Sequence, residues 1–357
     1  MKKYLFLAFF ACFVMPLVAQ DRADRQHLTD PRSFSMILMG DPQGYTKFDM
    51  NQPLFDLCTA WIEDNIDQLN IKAVLCTGDI VEQNECLDTK QKITNQTSHE
   101  MWMAASNAFA RLDNKVPYII SGGNHDYGYK RAENGMTHFP KYFPFERNST
   151  WRDVCVSTYP NRNGLESIEN AAFEFEAPMW GKILVITSEF APRDEVLDWA
   201  KQLVAKDRFK KHKAIFMTHS YLRERTAERI QEESYTISPR NWGQAIWDKL
   251  IEPSANILMV LCGHTGKPSN DFADAVAYRV DKNHAGKNVH QMMFNVQTIG
   301  GGWNGNGGDG WLRILEFMPD GKTIKVRTYS PLFGISSATK HLAHRTASYD
   351  QFDMIVE

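Results

Sequence analysis

Val116-Pro117-Tyr118-Ile119-Ile120-Ser121-Gly122-Gly123-Asn124-His125-Asp126 is the stretch that decides the reading of this chain. The apolar run 116–120 has the composition of a buried strand. The turn after it carries an amide, an imidazole and a carboxylate in succession. In open α/β sheets, ligands bind just beyond the carboxyl ends of strands. The arrangement recurs along the chain. Asp41 follows the apolar run 36–39, and Gly78-Asp79 follows 73–76. His219 follows 214–217, and Gly263-His264 follows 257–262. A single Gly-Asp pair reads as an ordinary turn, and a single His after a strand as a satisfied core residue. Five strand ends in order, each carrying a metal-binding type of side chain, read as a site.

Helical patterns lie between these runs. Residues 54–69 place Leu54, Leu57, Cys58, Trp61, Ile62, Asn65, Ile66 and Leu69 on one face at i, i+3, i+4, i+7 spacing, which predicts an amphipathic helix. Residues 101–112 read the same way. Pro192, with Asp194 and Glu195 in the first turn, predicts a helix at 193–204, and 244–251 predicts a shorter one ending before Pro253. Further strands are expected at 172–176 and 182–187. Alternating strands and helices imply a sheet covered by helices.

The last part of the chain changes character. Residues 275–280, 289–296, 311–317 and 323–328 are strand-like, with turn-rich links such as Asn283-His284-Ala285-Gly286 and Pro319-Asp320-Gly321. They are expected to form a second sheet packed on the first, in one continuous core. The glycine-rich run 300–310 lacks the spacing and the Lys-Ser/Thr ending of a phosphate loop. It is read as a loop near the site mouth. Polar, turn-rich excursions at 84–99 and 127–170 are long for a compact domain, and such loops are functional or mobile.

The 357-residue chain opens with Lys2 and Lys3, then an apolar stretch at 5–18 containing Pro16, then Leu17-Val18-Ala19. This is the pattern of a secretory signal cleaved after Ala19 or Gln20, and the stretch is short for a membrane span. Cys12 lacks a convincing lipobox, which argues against a lipid anchor. The expected division is a signal peptide at 1–19, an N-terminal segment at 20–33, one domain at 34–335 and a C-terminal tail at 336–357. A secreted or periplasmic location is expected, with no transmembrane segment in the mature chain. The formal charge is −3, and about −5 without Lys2 and Lys3, so overall charge does not favour nucleic acid. Among the five cysteines beyond the leader, Cys76 and Cys262 lie in apolar runs as buried thiols. Cys86 and Cys155 lie in polar loops and could pair in an oxidising compartment; the odd count leaves at least one thiol unbridged.

Carboxylates, an amide and imidazoles together suit a divalent first-row transition metal such as Mn, Fe or Zn. Paired ions of this kind activate water and stabilise attacking and leaving oxygens, chemistry that fits phosphate esters. On these residues the chain resembles the calcineurin-like metallophosphoesterase superfamily. The superfamily pattern is Asp-x-His, Gly-Asp, Gly-Asn-His-Asp/Glu, an isolated His, then Gly-His-x-His. Here it reads Asp41-Pro42-Gln43, Gly78-Asp79, Gly123-Asn124-His125-Asp126, His219 and Gly263-His264-Thr265-Gly266. Two looser stretches, 190–197 and 308–313, are similar to a secreted bacterial branch.

The resemblance implies an α/β fold, a four-layer α/β/β/α sandwich with two mixed β-sheets. It implies one or two divalent ions. Asp79 would bridge them, Asn124, His219 and His264 would complete the second ion's ligands, and Asp41 would bind the first. His125 would protonate the leaving group, with Asp126 orienting its ring. The implied reaction is attack by metal-activated hydroxide on a phosphomonoester, phosphodiester or pyrophosphate, the substrate being a phosphorylated small molecule or a phosphodiester.

Two positions depart from the pattern, and both belong to the first ion. Gln43 stands for a histidine, as in branches with Asp-x-Gln, and its amide is a candidate contact to substrate or water. Gly266 stands for the final histidine. Three arrangements follow. The first ion binds weakly through Asp41, Asp79 and water, with or without Gln43. Alternatively, His284 or His290 fills the gap, or Lys267 places an ammonium there and leaves a one-metal site. The depleted set also supports a rival reading, a non-catalytic one-metal protein that binds phosphate or a phosphorylated ligand on the same fold. Arg313 and Arg193 are phosphate-binding forks by type, though an ion pair accounts for either as well. Asn241, Asn295 and Asp309 read as caps or turn residues, and Trp303 as an exposed aromatic.

Overall fold

A computed structural model describes residues 26–87, 89, 93–269 and 271–356. The signal-peptide reading of 1–19 lies outside the described residues. Among the described residues there are fourteen strands: β1 Phe34–Met39, β2 Ile71–Cys76, β3 Tyr118–Ile120, β4 Cys155–Thr158, β5 Ala171–Ala177, β6 Gly181–Thr187 and β7 Lys213–Met217, then β8 Ile257–Cys262, β9 Val276–Lys282, β10 Asn288–Phe294, β11 Leu312–Phe317, β12 Thr323–Tyr329, β13 His344–Arg345 and β14 Phe352–Ile355. They form two seven-stranded sheets. One runs β13-β12-β11-β1-β2-β3, with β14 also on β12; the other runs β4-β5-β6-β7-β8-β10-β9.

Every residue of β1 and of β8 is buried. A strand apolar on both faces must be covered on both faces. In β6 the alternation shows by what. Ile183 and Val185 face the core shared between the sheets, while Leu184 and Ile186 pack outward with Leu197, Ala200, Leu203 and Val204 of the helix Asp194–Ala205. On the other side, Phe55, Cys58 and Ile62 of the helix Gln52–Asp64 and Met101, Trp102, Ala105 and Phe109 of Ser98–Ala110 cover the first sheet. Each large apolar side chain buried this way contributes about 1.5–3 kcal/mol. The result is the expected four-layer α/β/β/α sandwich with mixed sheets.

Several expected boundaries move. The helix expected at 54–69 spans Gln52–Asp64, because the Asn65 side chain bonds the Trp61 carbonyl and irregular turns follow, ending in the left-handed Asn70 (φ 43°). The helix expected at 101–112 starts at Ser98, behind a reciprocal cap between Thr97 and Glu100. The C-terminal strands do not make a sheet of their own. β9 and β10 extend the second sheet through the parallel β8–β10 pair, and β11 and β12 extend the first through the antiparallel β1–β11 pair. Residues 336–357, expected as a tail, contain β13 and β14, both on β12. Cys155 is a half-buried free thiol in β4 and does not bridge to Cys86. Among the described residues no helix is long and apolar enough to cross a membrane.

Candidate metal centre

β1, β2 and β3 are parallel, and Met39 lies opposite Cys76, which lies opposite Ile120. Their carboxyl ends are therefore level. The parallel strands β6, β7 and β8 are level too, through Thr187, Met217 and Leu261. The two sets of ends are stitched together where Thr187 Oγ1 donates to the Ile120 carbonyl (3.2 Å) and the Gly122 amide donates to the Ser188 carbonyl (3.3 Å). Asp41, Asp79, the 123–126 turn, His219 and His264 consequently meet at one end of the sandwich.

Two glycines make that meeting sterically possible. A Cβ on Gly123 would lie 2.1 Å from the Asp79 backbone nitrogen and 2.3 Å from its Oδ1. One on Gly263 would lie 2.0 Å from Asp41 Oδ1 and 2.6 Å from Thr77 Oγ1. The Gly123 clash is with backbone and has nowhere to relax. Gly123→Ala is expected to lower stability by about 1–3 kcal/mol by overpacking and to weaken binding of Co²⁺. Thermal melts and a cobalt titration check both; an unchanged titration would remove the cradle argument.

The donor atoms converge. His219 Nδ1 donates to the Thr77 carbonyl (2.7 Å), which turns Nε2 toward Asp79 Oδ2 (3.1 Å) and Asn124 Oδ1 (3.1 Å). His264 Nδ1 lies 2.9 Å from the same Asn124 oxygen. Ligand atoms of Asp79, His219 and His264 all lie within 4.8 Å of one another. One N–H on His219 cannot serve both oxygens it faces, whereas a cation satisfies every one of these atoms. The residues present therefore fit a divalent ion, which Asp79, Asn124, His219 and His264 would hold.

Electrostatics agrees. Asp41, Asp79 and Asp126 are at most 2% exposed, an accumulation of buried carboxylates that demands positive charge. Burial disfavours the Asp79 charge, but His219 and His125 outweigh it and hold the carboxyl at about 2. Burial raises Asp41 to about 6 and, with Asp79 adding repulsion, Asp126 to about 7. Burial opposes the His219 charge as well, yet Asp79 and Asp41 push this imidazole up to about 10. The proton it retains stands where a cation's charge is wanted, so metal binding here releases a proton.

Asp41 is held in place beside this set. Its Oδ1 accepts from Thr77 Oγ1 (2.7 Å) and its Oδ2 from the His264 amide (2.8 Å). Gln43 is buried. Its Nε2 donates to Glu82 Oε2 (3.0 Å), while its Oε1 has no hydrogen-bond partner among the described residues. Lys47 pairs with Glu82 Oε1 (3.2 Å) and donates to the Trp303 carbonyl (3.1 Å), which brings the glycine-rich loop against the short helix Gln43–Lys47.

None of the three candidates beyond Gln43 reaches the gap left by Gly266. The half-exposed Lys267 turns to Glu224 (3.5 Å) and Asp274 (4.0 Å). His290 sits between the Tyr278 hydroxyl (2.6 Å) and the Ile355 carbonyl (2.8 Å), and His284 bonds the Glu252 carbonyl. Arg313 is also outside the site. It is fully buried, donates to the Tyr349 carbonyl (2.6 Å) and lies over the Phe294 ring at 4.8 Å, where burial lowers it to about 10. Arg193 forms an ion pair with Glu189 (2.8 Å). Asn241 Nδ2 donates to Asp194 Oδ1 (2.8 Å), Asn295 bonds the His264 carbonyl (3.0 Å) and Asp309 accepts from Asn306 (2.6 Å).

His125 is half-buried, and its Nδ1 donates to the Glu82 carbonyl at 2.5 Å. Asp126 does not orient this ring. Its carboxylate accepts from the amides of Ile80 (2.7 Å), Val81 (3.2 Å) and Gly123 (2.9 Å), so it ties the Asp79 turn to the 123–126 turn. Burial opposes a charge on His125, but Asp79 and Glu82 raise it above the ordinary histidine range. Glu82, Thr77 and Glu233 were missed in the sequence. Glu82 had a local signal, three residues after Asp79; Glu233 had none.

This fold is that of the metallo-dependent phosphatases. The profile described as calcineurin-like phosphoesterase matches residues 34–268, well over half the chain, and the chain belongs to that family. It is similar to the "Uncharacterized protein YvnB" of Bacillus subtilis (strain 168), with 30% identity over 304 residues, 84% of this chain and 20% of that protein. The chain thus spans about one fifth of that relative's length. Among solved structures it is similar to "GAP50 the anchor in the inner membrane complex of Plasmodium", at 11% identity, with 91% of this chain and 89% of that one covered and a TM-score of 0.46.

Proposed function

We propose that this chain is an exported hydrolase of a phosphomonoester, phosphodiester or pyrophosphate. In this reading it holds one divalent ion firmly and has a second, weaker position at Asp41 and Asp79. The observation that carries the proposal is the convergence of Asp79, Asn124, His219 and His264 on one point, beside a half-buried His125. Family membership supports a metal-dependent phosphoesterase in general. Export rests on the leader-like pattern of 1–19.

A divalent ion bound here supplies positive charge against phosphate oxygens and lowers the pKa of water. The chain's own residues do the rest. Asp79, Asn124, His219 and His264 would hold it. Asp41, kept in place by Thr77 and the His264 amide, adds negative charge on the side toward Gln43. His125, with Nδ1 committed to Glu82, has Nε2 left to give a proton to the leaving oxygen.

The test is hydrolysis of bis-p-nitrophenyl phosphate by mature protein, stripped of metal and then titrated with manganese. Turnover is expected to rise from background and saturate with added ion. The second reading, a one-ion binding protein, is favoured by the engagement of Lys267, His284 and His290 elsewhere. Tight binding of one ion without turnover on monoester, diester or pyrophosphate probes would establish it instead.

A further inference from the structure

The loop between β7 and β8 sends a carboxylate back onto the metal centre. Glu233 Oε1 lies 3.0 Å from His264 Nε2, and its Oε2 accepts from Ser220 Oγ at 2.8 Å. Ser220 is the neighbour of His219, so one carboxylate links the segments of two imidazole ligands. The Glu233 side chain is 11% exposed. Phe190 (6.1 Å between ring centroids) and Tyr235 (5.8 Å) pack around the His264 ring, so few waters can substitute for this contact.

His264 has a left-handed backbone (φ 76°), and its ring has two nitrogens to assign. Nδ1 faces Asn124 Oδ1 in the donor set. A hydrogen on Nδ1 would block it as a ligand. An acceptor at Nε2 puts the hydrogen there and leaves the Nδ1 lone pair pointing inward. We propose that Glu233 is a positioning residue that fixes the tautomer and orientation of His264 for ion binding. This rests on the metal-centre reading above. It makes part of the long 221–243 loop a support of the centre rather than a cover over it.

The experiment uses the full mature chain, with Co²⁺ as probe. Outer partners of metal-bound histidines typically change affinity by about 10–100-fold. Glu233→Ala is therefore expected to weaken Co²⁺ binding by about that factor. Glu233→Gln keeps an acceptor oxygen without the charge and should lose less. Glu232→Gln, one residue away and paired with Arg240 on the surface, should bind as the unaltered chain does. A second readout is ¹⁵N NMR of the metal-free protein. The unaltered His264 should show a hydrogen on Nε2, and Glu233→Ala a shift of that hydrogen to Nδ1, which faces the acceptor oxygen of Asn124. A merely structural anchoring of the loop would not move that signature. Unchanged Co²⁺ affinity in Glu233→Ala, or an unchanged tautomer, overturns the inference. Failure of the unaltered chain to bind Co²⁺ overturns the metal-centre reading itself and the inference with it.

Discussion

Asp79→Asn is expected to reduce manganese-dependent turnover by at least about 10³-fold, a loss of about 4 kcal/mol in transition-state stabilisation. The substitution is chosen for what it leaves intact. Asp79 has a left-handed backbone (φ 50°), a conformation that asparagine tolerates and alanine does not. The amide oxygen can still accept from the His125 backbone N–H, as Oδ1 does now at 2.8 Å. The fold and the 123–126 turn should therefore persist. The negative charge is lost, and with it the oxygen that faces His219 Nε2 at 3.1 Å. Steady-state rates, a metal titration and circular dichroism together check the outcome. Full turnover in a folded Asp79→Asn protein would end the assignment of this centre.

The second large effect is expected at His125, and its size should depend on the substrate. The His125 amide bonds Asp79, while among the described residues its ring bonds the Glu82 carbonyl. His125→Ala thus removes a proton donor while the backbone contact to Asp79 is kept. An alkyl phosphate ester, whose leaving oxygen needs a proton, should react about 10²–10⁴-fold more slowly. A p-nitrophenyl ester leaves as a stable anion and should slow by less than about tenfold, outside the range of general-acid effects. Equal losses on the two substrates would argue for a positional role and against proton donation. The role of Glu82 in holding the ring is backbone-mediated, so Glu82→Gln should preserve this leaving-group contrast.

The reach of sequence reading differs between the parts of this molecule. Strands such as 36–39, 73–76 and 257–262 were legible because each is apolar on both faces, and covered strands leave that mark. Asp41, Asp79, Asn124, His219 and His264 were legible because each sits within a few residues of such a strand's end. Register does the rest of the work, and it is set by the same apolar pattern. Arg313 illustrates the opposite case. A lone arginine in a β-strand has the same sequence signature whether it binds phosphate or lies under an aromatic ring. Its burial over Phe294 is decided by a neighbouring strand in the other sheet. The C-terminal strands misled for a related reason. Hydrophobic alternation shows that β9 to β12 are strands, but not which edge each one joins.

By itself the sequence determined the alternation of strands and helices, the five loops that carry donors, and the two eroded positions at Gln43 and Gly266. Those are local facts, written in periodicity and in residue type at a strand end. Only the tertiary structure decided that Lys267, His284 and His290 stay away from the gap, that a Glu82 carbonyl rather than Asp126 holds His125, and that Glu233 stands behind His264. Each of these depends on where a distant side chain or a backbone oxygen comes to rest. Such positions follow from the packing of two sheets and the path of a long loop, which no short window of residues encodes.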